Sequence, residues 1–525
     1  MIRLIKKQLK IVLMSIVVIF FATVLFTSKN TVFADEIPEF VEWNECMIEE
    51  KEVSLALRDR SVSIYKNSNK IWTSPSDYFV QDLLYADIDR DNVKEIILLA
   101  WKMGRYGEKR PFFITDDEKK WSQHIYIYEI DKDTVRAKWM ASDIGMEAVR
   151  FAVDDNGILI IENTDKNTSL WYWRDFGLKN LPNSTKFLAV GDNLIHVPIY
   201  TYGYKKTENN YDHLYENVKD IIIDADIAII NNETILVDDP KMYSTYPCFG
   251  TPVEVGKAAI DAGFDVMSCA TNHALDKGKK GIDTTEKFYR ENDVLCLGIQ
   301  SSEDQDERKS CKWFKKNGMN IAFFNYTYGT NGIKLPKDCP YMVNYLDDDE
   351  RIRNEIEEVK AEADFIIVCV HWGDEYSRSV SAYQKKWAGY FNECGVDVVI
   401  GTHPHVLEPY EMMVSKDGHK TLVYYSLGNF MSAQYKRERV VGGMAEFSVF
   451  RTMDGYEIGD YSMEGIVTHQ PKGSGRYTVY MLNDYTEELA AEHTLGITLE
   501  QVKDIYLKSI EDSNMMALEP SVNID

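Results

Sequence analysis

From about residue 183 onward, short apolar runs alternate with longer stretches that read as helices. The apolar runs lie at 186–190, 225–230, 264–269, 365–370 and 396–400, and each reads as a buried strand. Between them, 252–262, 281–292, 349–363 and 379–393 read as helices, and Pro252 suits a first helical position, where its missing N–H costs nothing. This strand–loop–helix rhythm predicts an α/β domain over 183–525. The pattern before it is different. Over 35–181, short aromatic strands recur: 63–65 followed by 71–74 is echoed by 126–128 followed by 138–142, and 170–173 opens a third copy. Each of the first two copies leads to a further strand pair, 83–101 and 148–162. Such spacing resembles propeller blades, but two blades and a fragment cannot close a ring, so a small, open, all-β module is expected. The first 34 residues follow a third pattern, with Arg3, Lys6, Lys7 and Lys10 ahead of an apolar run, 11–26, broken only by Ser15 and Thr23. They predict an export segment, either a signal peptide cleaved before Asp35 or an uncleaved anchor, with the bulk of the protein outside the cytoplasmic membrane. No Cys directly follows the run, which argues against a lipoprotein.

Composition narrows the function. A chain of 525 residues exceeds what one core usually serves. With 84 acidic against 59 basic residues, the formal net charge is −25, and no basic stripe suited to nucleic acid is present. A long polyanion would also be repelled, except where bound cations reverse the local sign. The eight cysteines form no C-x-x-C pair, so no thiolate metal site is expected, and Cys269 and Cys369 read as plain buried thiols.

Two places carry candidate chemistry. In the β module, Asp87, Asp89 and Asp91, with Asn92 and Glu95, resemble the acidic turn of calcium-binding propeller repeats. Alternating carboxylates can converge on calcium, although the EF-hand pattern fails; a tight acidic turn between strands is the alternative. In the α/β segment, all five apolar runs end in polar groups: Asp192 and His196 after the first, Glu233 after the second, Asn272 and His273 after the third, His371 after the fourth, and His403 and His405 after the fifth. Asn272 and His273 alone could also cap the following helix. Taken together, the strand ends suggest a site, since ligands collect at the carboxyl ends of strands in open α/β sheets. The donors are nitrogen and oxygen, which suits Zn, Mn or Fe, and about seven of them exceed the needs of one tetrahedral zinc, so two divalent ions fit better.

The blocks AVGDNLIH, IINNE, ATNHALDKG, VHWGDEY, GTHPHVLEP and YSLGNF, in this order, resemble the CapA family of poly-γ-glutamate capsule biosynthesis proteins, whose domain is similar to the calcineurin-like metallophosphatases. The resemblance covers most of 183–493 and leaves the β module aside. It implies a layered α-β-β-α fold, with Asp192, His196 and His405 on one metal, Asn272, His371 and His403 on the other, Glu233 bridging, and His273 as the catalytic imidazole. Three departures stand out. Asp192 and His196 are four apart where metallophosphatases have two, Glu233 replaces Asp, and Asn232 replaces the family's usual Leu; the first departure ranks the first metal as the weaker. Ser426 lacks the surroundings of a nucleophile elbow and reads as structural.

These readings lead to an exported, metal-dependent enzyme acting in production, release or wall attachment of an anionic capsule polymer. Its expected partners are that polymer or cell-wall material and membrane-bound capsule synthesis proteins, with no nucleic acid. A metallophosphoesterase unrelated to capsule and a non-catalytic surface protein with a structural metal pin remain as alternatives.

Overall fold

The computed structural model describes residues 36–104, 115, 119–141, 144–303 and 310–516; the expected export segment lies outside them. Among the described residues no helix is long and apolar enough to cross a membrane. The chain divides into two compact units, residues 1–183 with 451–454, and residues 184–450 with 455–525.

The first unit is built from three four-stranded antiparallel sheets, each a simple meander, spanning Cys46–Thr73, Phe79–Met140 and Ala148–Leu181. The repeat is therefore three complete sheets, where the aromatic pattern predicted two blades and a fragment. The recurring aromatic pairs are the third and fourth strands of the sheets, and the strand pair following each belongs to the next sheet. One apolar cluster joins the first two sheets through Leu55, Leu57, Ile64, Leu83, Ile96 and Leu98. A second joins the last two through Ile97, Leu99, Ile127, Phe151 and Leu159. Successive residues of one strand, such as Ile96 to Leu99, thus feed opposite cores, as the period of two requires.

Among the described residues the second unit holds two large sheets and a small two-stranded one, Leu236–Val237 with Thr251–Pro252. The first contains β1 (Ser184–Asn193), β2 (Ile227–Asn231), β3 (Val266–Ser268) and β4 (Leu295–Leu297), all parallel to their neighbours. The second sheet contains β5 (Lys312–Lys316), β6 (Met319–Thr327), β7 (Phe365–His371), β8 (Val398–Thr402), β9 (Tyr410–Val414) and β10 (Lys420–Tyr424), in the order β5-β6-β7-β8-β10-β9 with β6, β7, β8 and β10 parallel. The chain then returns to the first sheet through β11 (Asn429–Met431), β12 (Val441–Arg451), β13 (Tyr456–His469) and β14 (Thr478–Met481). That sheet runs β4-β3-β2-β1-β12-β13-β14, with β11 also pairing β1.

The apolar strands are buried on both faces. Phe187, Ala189, Ile227 and Ile229 of the first sheet meet Ile321, Phe323, Ile367 and Ile400 of the second in a core between the sheets. The alternate residues Leu188, Val190, Ala228 and Ile230 pack on helices α1 (Val253–Ala262) and α2 (Gly278–Glu291). On the far side, Phe324, Ile366, Val368 and Val399 pack on α3 (Asp349–Val359) and α4 (Ala382–Glu393). The layering is α-β-β-α, as the calcineurin-like resemblance implies. Pro252 stands one place earlier than expected, capping α1. The last of these helices begins with a capping box in which Ser381 and Gln384 satisfy each other's backbone N–H groups.

Candidate metal centre

The site is built where β1, β2, β3, β7 and β8 end. Asp192 is the next-to-last residue of β1, pressed against the segment leading into β11: a Cβ on Gly191 would stand 1.9 Å from the Gly428 carbonyl oxygen, so only glycine allows the approach. Asp192 is fully buried. One of its oxygens accepts from the Asn231 amide at 2.8 Å and from the His403 backbone N–H at 3.3 Å, and the other faces His405 Nδ1 at 2.9 Å. Asn231 is itself fixed by the Ser268 hydroxyl, which donates to its Oδ1 at 3.0 Å.

Glu233 is also fully buried, yet neither of its carboxylate oxygens has a hydrogen-bond partner. Oε1 lies 3.7 Å from His405 Nε2 and 4.0 Å from His371 Nε2. Burial pushes the Glu233 carboxyl well above its usual range. Across from it, His371 Nε2 is 3.0 Å from Asn272 Oδ1 and 3.2 Å from His403 Nδ1, while its Nδ1 lies 3.0 Å from the Thr402 hydroxyl. Burial, reinforced by the neighbouring imidazoles, drops His371 far below its ordinary value and His403 to about 3, so both rings are neutral with lone pairs available. His405 behaves oppositely: burial alone would lower it, but the Glu233 and Asp192 carboxylates outweigh burial and raise it to about 9.

These residues fit a divalent metal pair. Ligand atoms of Asp192, Glu233 and His405 lie within 4.8 Å of one another; Asn272, His371 and His403 make a second convergent group; and Glu233 stands between the two. A buried carboxylate with two bare oxygens is costly unless a cation meets it. The backbone is strained here too, since His403 (φ 102°), His405 (φ 61°) and Tyr376 (φ 68°) all occupy the left-handed region. The Tyr376 N–H donates to the Pro404 carbonyl at 2.7 Å, and the Ser426 hydroxyl donates to the Val406 carbonyl at 2.8 Å, holding this loop in place.

His196 is not drawn into the group. Its Nδ1 lies 3.1 Å from the Leu194 carbonyl and 3.3 Å from the Ala433 N–H, its ring packs edge-on against Phe249 at 5.4 Å, and burial lowers it to about 4. Asn272 and His273 do not cap the following helix, whose cap residue is Lys277 with no side-chain bond. Instead His273 Nδ1 lies 2.7 Å from Asp276, whose carboxylate also accepts the Phe249 N–H at 2.7 Å. This orients the ring through Nδ1. Asp276 is a residue that the strand-end pattern missed; its signal was the three-residue spacing inside ATNHALDKG. Asn325 was missed too. Its Oδ1 accepts the Cys269 and Ala270 N–H groups at 2.9 and 2.7 Å, and its amide donates to the Cys369 carbonyl at 3.1 Å. One side chain in β6 thereby sews the end of β3 to β7, bringing Asn272 to His371.

In the β module the acidic turn closes on itself. Asp87 accepts the N–H groups of Asp91 and Asn92, Asp91 accepts that of Val93, and the Lys138 ammonium sits 2.5 Å from both Asp89 and Glu95. Asp87, Asp89 and Glu95 do converge, but a lysine supplies the positive charge between the last two, and Asp91 is turned to the backbone.

The PGA biosynthesis protein CapA of Bacillus subtilis (strain 168) is 35% identical over 187 residues, 35% of this chain and 47% of its own length. The capsule biosynthesis protein CapA of Bacillus anthracis is 30% identical over 239 residues, 44% of this chain and 56% of its own. The chain thus spans about half the length of the curated relatives it matches. Among solved structures, the calcineurin-like phosphoesterase YfkN of Bacillus subtilis aligns over 63% of this chain and 98% of its own, at 13% identity and a TM-score of 0.34; the layering described above is what assigns the fold. Residues 186–434, which hold all the ligand candidates, match the family described as bacterial capsule synthesis protein PGA_cap.

Proposed function

We propose that the chain is a metal-dependent enzyme of capsule poly-γ-glutamate biosynthesis, acting on the polymer at the cell surface. The observation that carries this reading is the fully buried Glu233, whose two unpartnered oxygens lie between the Asp192–His405 and Asn272–His371–His403 groups. A structural pin would have no use for a further imidazole held ready beside it, as His273 is by Asp276. A divalent pair bound at these residues would supply water activation and polarisation of the bond under attack. His273, oriented through Nδ1, donates a proton from Nε2 to the leaving group. Tyr328, its ring tilted against His403 at 4.6 Å, and Tyr376, 5.8 Å from His405, wall the ligand histidines. The names of the relatives support the polymer as substrate, and the basic and then apolar first 34 residues support action outside the cytoplasmic membrane, where membrane-bound synthesis proteins are candidate partners.

The test is a metal analysis of the purified chain together with turnover of a γ-glutamyl oligomer and of a phosphodiester. Metal with γ-glutamyl turnover is the expected result. Phosphodiester turnover alone would replace the substrate, and metal without either activity would leave a structural site.

A further inference from the structure

The loop between β11 and β12 places an unpaired guanidinium beside the metal ligands. Arg439 stacks on Tyr376, with its guanidinium carbon 3.3 Å from the ring centroid, and Tyr376 lies against His405. A second tie is independent of that stack: the Asn429 amide donates to the Arg439 carbonyl at 2.9 Å and to the His405 carbonyl at 3.3 Å, joining the two segments through their backbones. Arg439 is therefore fixed relative to the site from both ends. Among the described residues no carboxylate pairs with it and no hydrogen bond engages its guanidinium, although the chain carries 84 acidic residues. Even Glu375, close enough for its charge to act on Tyr376 and His405, makes no ion pair with it. An arginine held in place and left without an anion, at a half-buried position, keeps its five donors for a ligand.

We propose that Arg439, presented by Tyr376, is a specificity-determining residue that takes an oxyanion of the substrate, a carboxylate or a phosphate, next to the bond under attack. This rests on the reading of the site given above. It also explains how a chain of net charge −25 accepts an anionic substrate: the local field at the site mouth is reversed by one fixed guanidinium in addition to any bound cations. A planar fork also selects geometry, so a lysine at this position keeps the charge but loses the bidentate contact.

The experiment measures binding, by calorimetry, of three probes to the full-length chain in Mn²⁺: γ-linked triglutamate, the same peptide with its carboxylates amidated, and bis(4-nitrophenyl) phosphate. The expected result is that Arg439→Ala weakens γ-triglutamate by about tenfold or more, as loss of a charge-assisted bond does, with metal content and melting temperature unchanged. Arg439→Lys recovers part of the loss, and the amidated peptide binds both variants as it binds the wild type. Wild-type affinity of Arg439→Ala for every anionic probe overturns the proposal and leaves the enzyme reading intact, and an equal loss for the amidated peptide also overturns it. If the wild type binds the phosphodiester and not γ-triglutamate, and Arg439→Ala loses that binding, the oxyanion role stands and the γ-glutamyl substrate falls. No binding of either anion by the wild type overturns both.

Discussion

Two acidic clusters in this molecule have opposite fates. In the β module, Asp87, Asp89 and Glu95 converge, and Lys138 stands between two of them with backbone N–H groups on the third. In the α/β unit, Asp192, Glu233 and His405 converge just as closely, but Glu233 is left bare and the backbone of the neighbouring histidine is strained. The first cluster carries its own counter-charge and is finished when the chain folds. In the second, His405 answers Asp192 at 2.9 Å, while both oxygens of the buried Glu233 stay without a hydrogen bond. A cluster of acids is therefore read by what neutralises it and not by its composition.

The largest effect should come from Glu233→Gln, which should abolish metal retention and turnover while raising the melting temperature of the metal-free protein. The sign follows from burial: its folded pKa lies above the unfolded value, so the stabilising contribution present below pH ~4.5 is lost as pH rises, and at neutral pH the charge is a cost that glutamine removes. A drop in metal-free stability would break the comparison, for Glu233 would then be as well satisfied as Glu95. Next, His273→Ala should keep metal and fold but lose ~10²–10⁴-fold in rate. Metal content, melting temperature and rate measured together check this, and full activity with metal bound would remove the imidazole from the chemistry.

Smaller effects sharpen the contrast. His403→Ala should lower metal affinity by about ten- to a hundredfold, and His196→Ala by much less, because His403 faces His371 while His196 is engaged by Leu194 and Ala433. Metal titration of both variants decides, and equal losses would put His196 back among the ligands. Lys138→Met should destabilise the β module by about 1–3 kcal/mol by stranding Asp89 and Glu95, with calcium now restoring part of the loss. Melting with and without calcium reads it, and an unchanged melting temperature would deny the lysine its role. The smallest effect concerns Glu408, a buried carboxyl raised to about 8 by burial and held by Gln384. Its folded pKa exceeds the unfolded one, so its contribution to stability is present below pH ~4.5 and is lost as pH rises towards 8. Glu408→Gln should raise the melting temperature by a few degrees at pH 8 and leave it unchanged at pH 4, as a pair of thermal scans would show.

The sequence alone determined the strand–helix rhythm of the α/β unit, the strand ends that carry donors and the nitrogen-and-oxygen character of the set, because periodicity and local composition are properties of neighbouring residues. It also marked the β module as aromatic strands in repeat. It could not set the phase of that repeat, since the strand pair after each aromatic pair reads the same whether it closes one sheet or opens the next; the structure gives three sheets. Nor could it show that Lys138 answers Asp89 and Glu95, or that Asn325 sews β3 to β7. The pairing of Asp192 with His405, 213 residues away, and the bare oxygens of Glu233 were equally out of reach. His196 and Asp276 show the same limit within a few residues of the motif: one expected ligand has its Nδ1 engaged by Leu194 and Ala433, and one unremarked acid orients the imidazole. Whether a polar side chain is satisfied depends on the atoms that meet it after the sheets pack, and those come from distant parts of the chain.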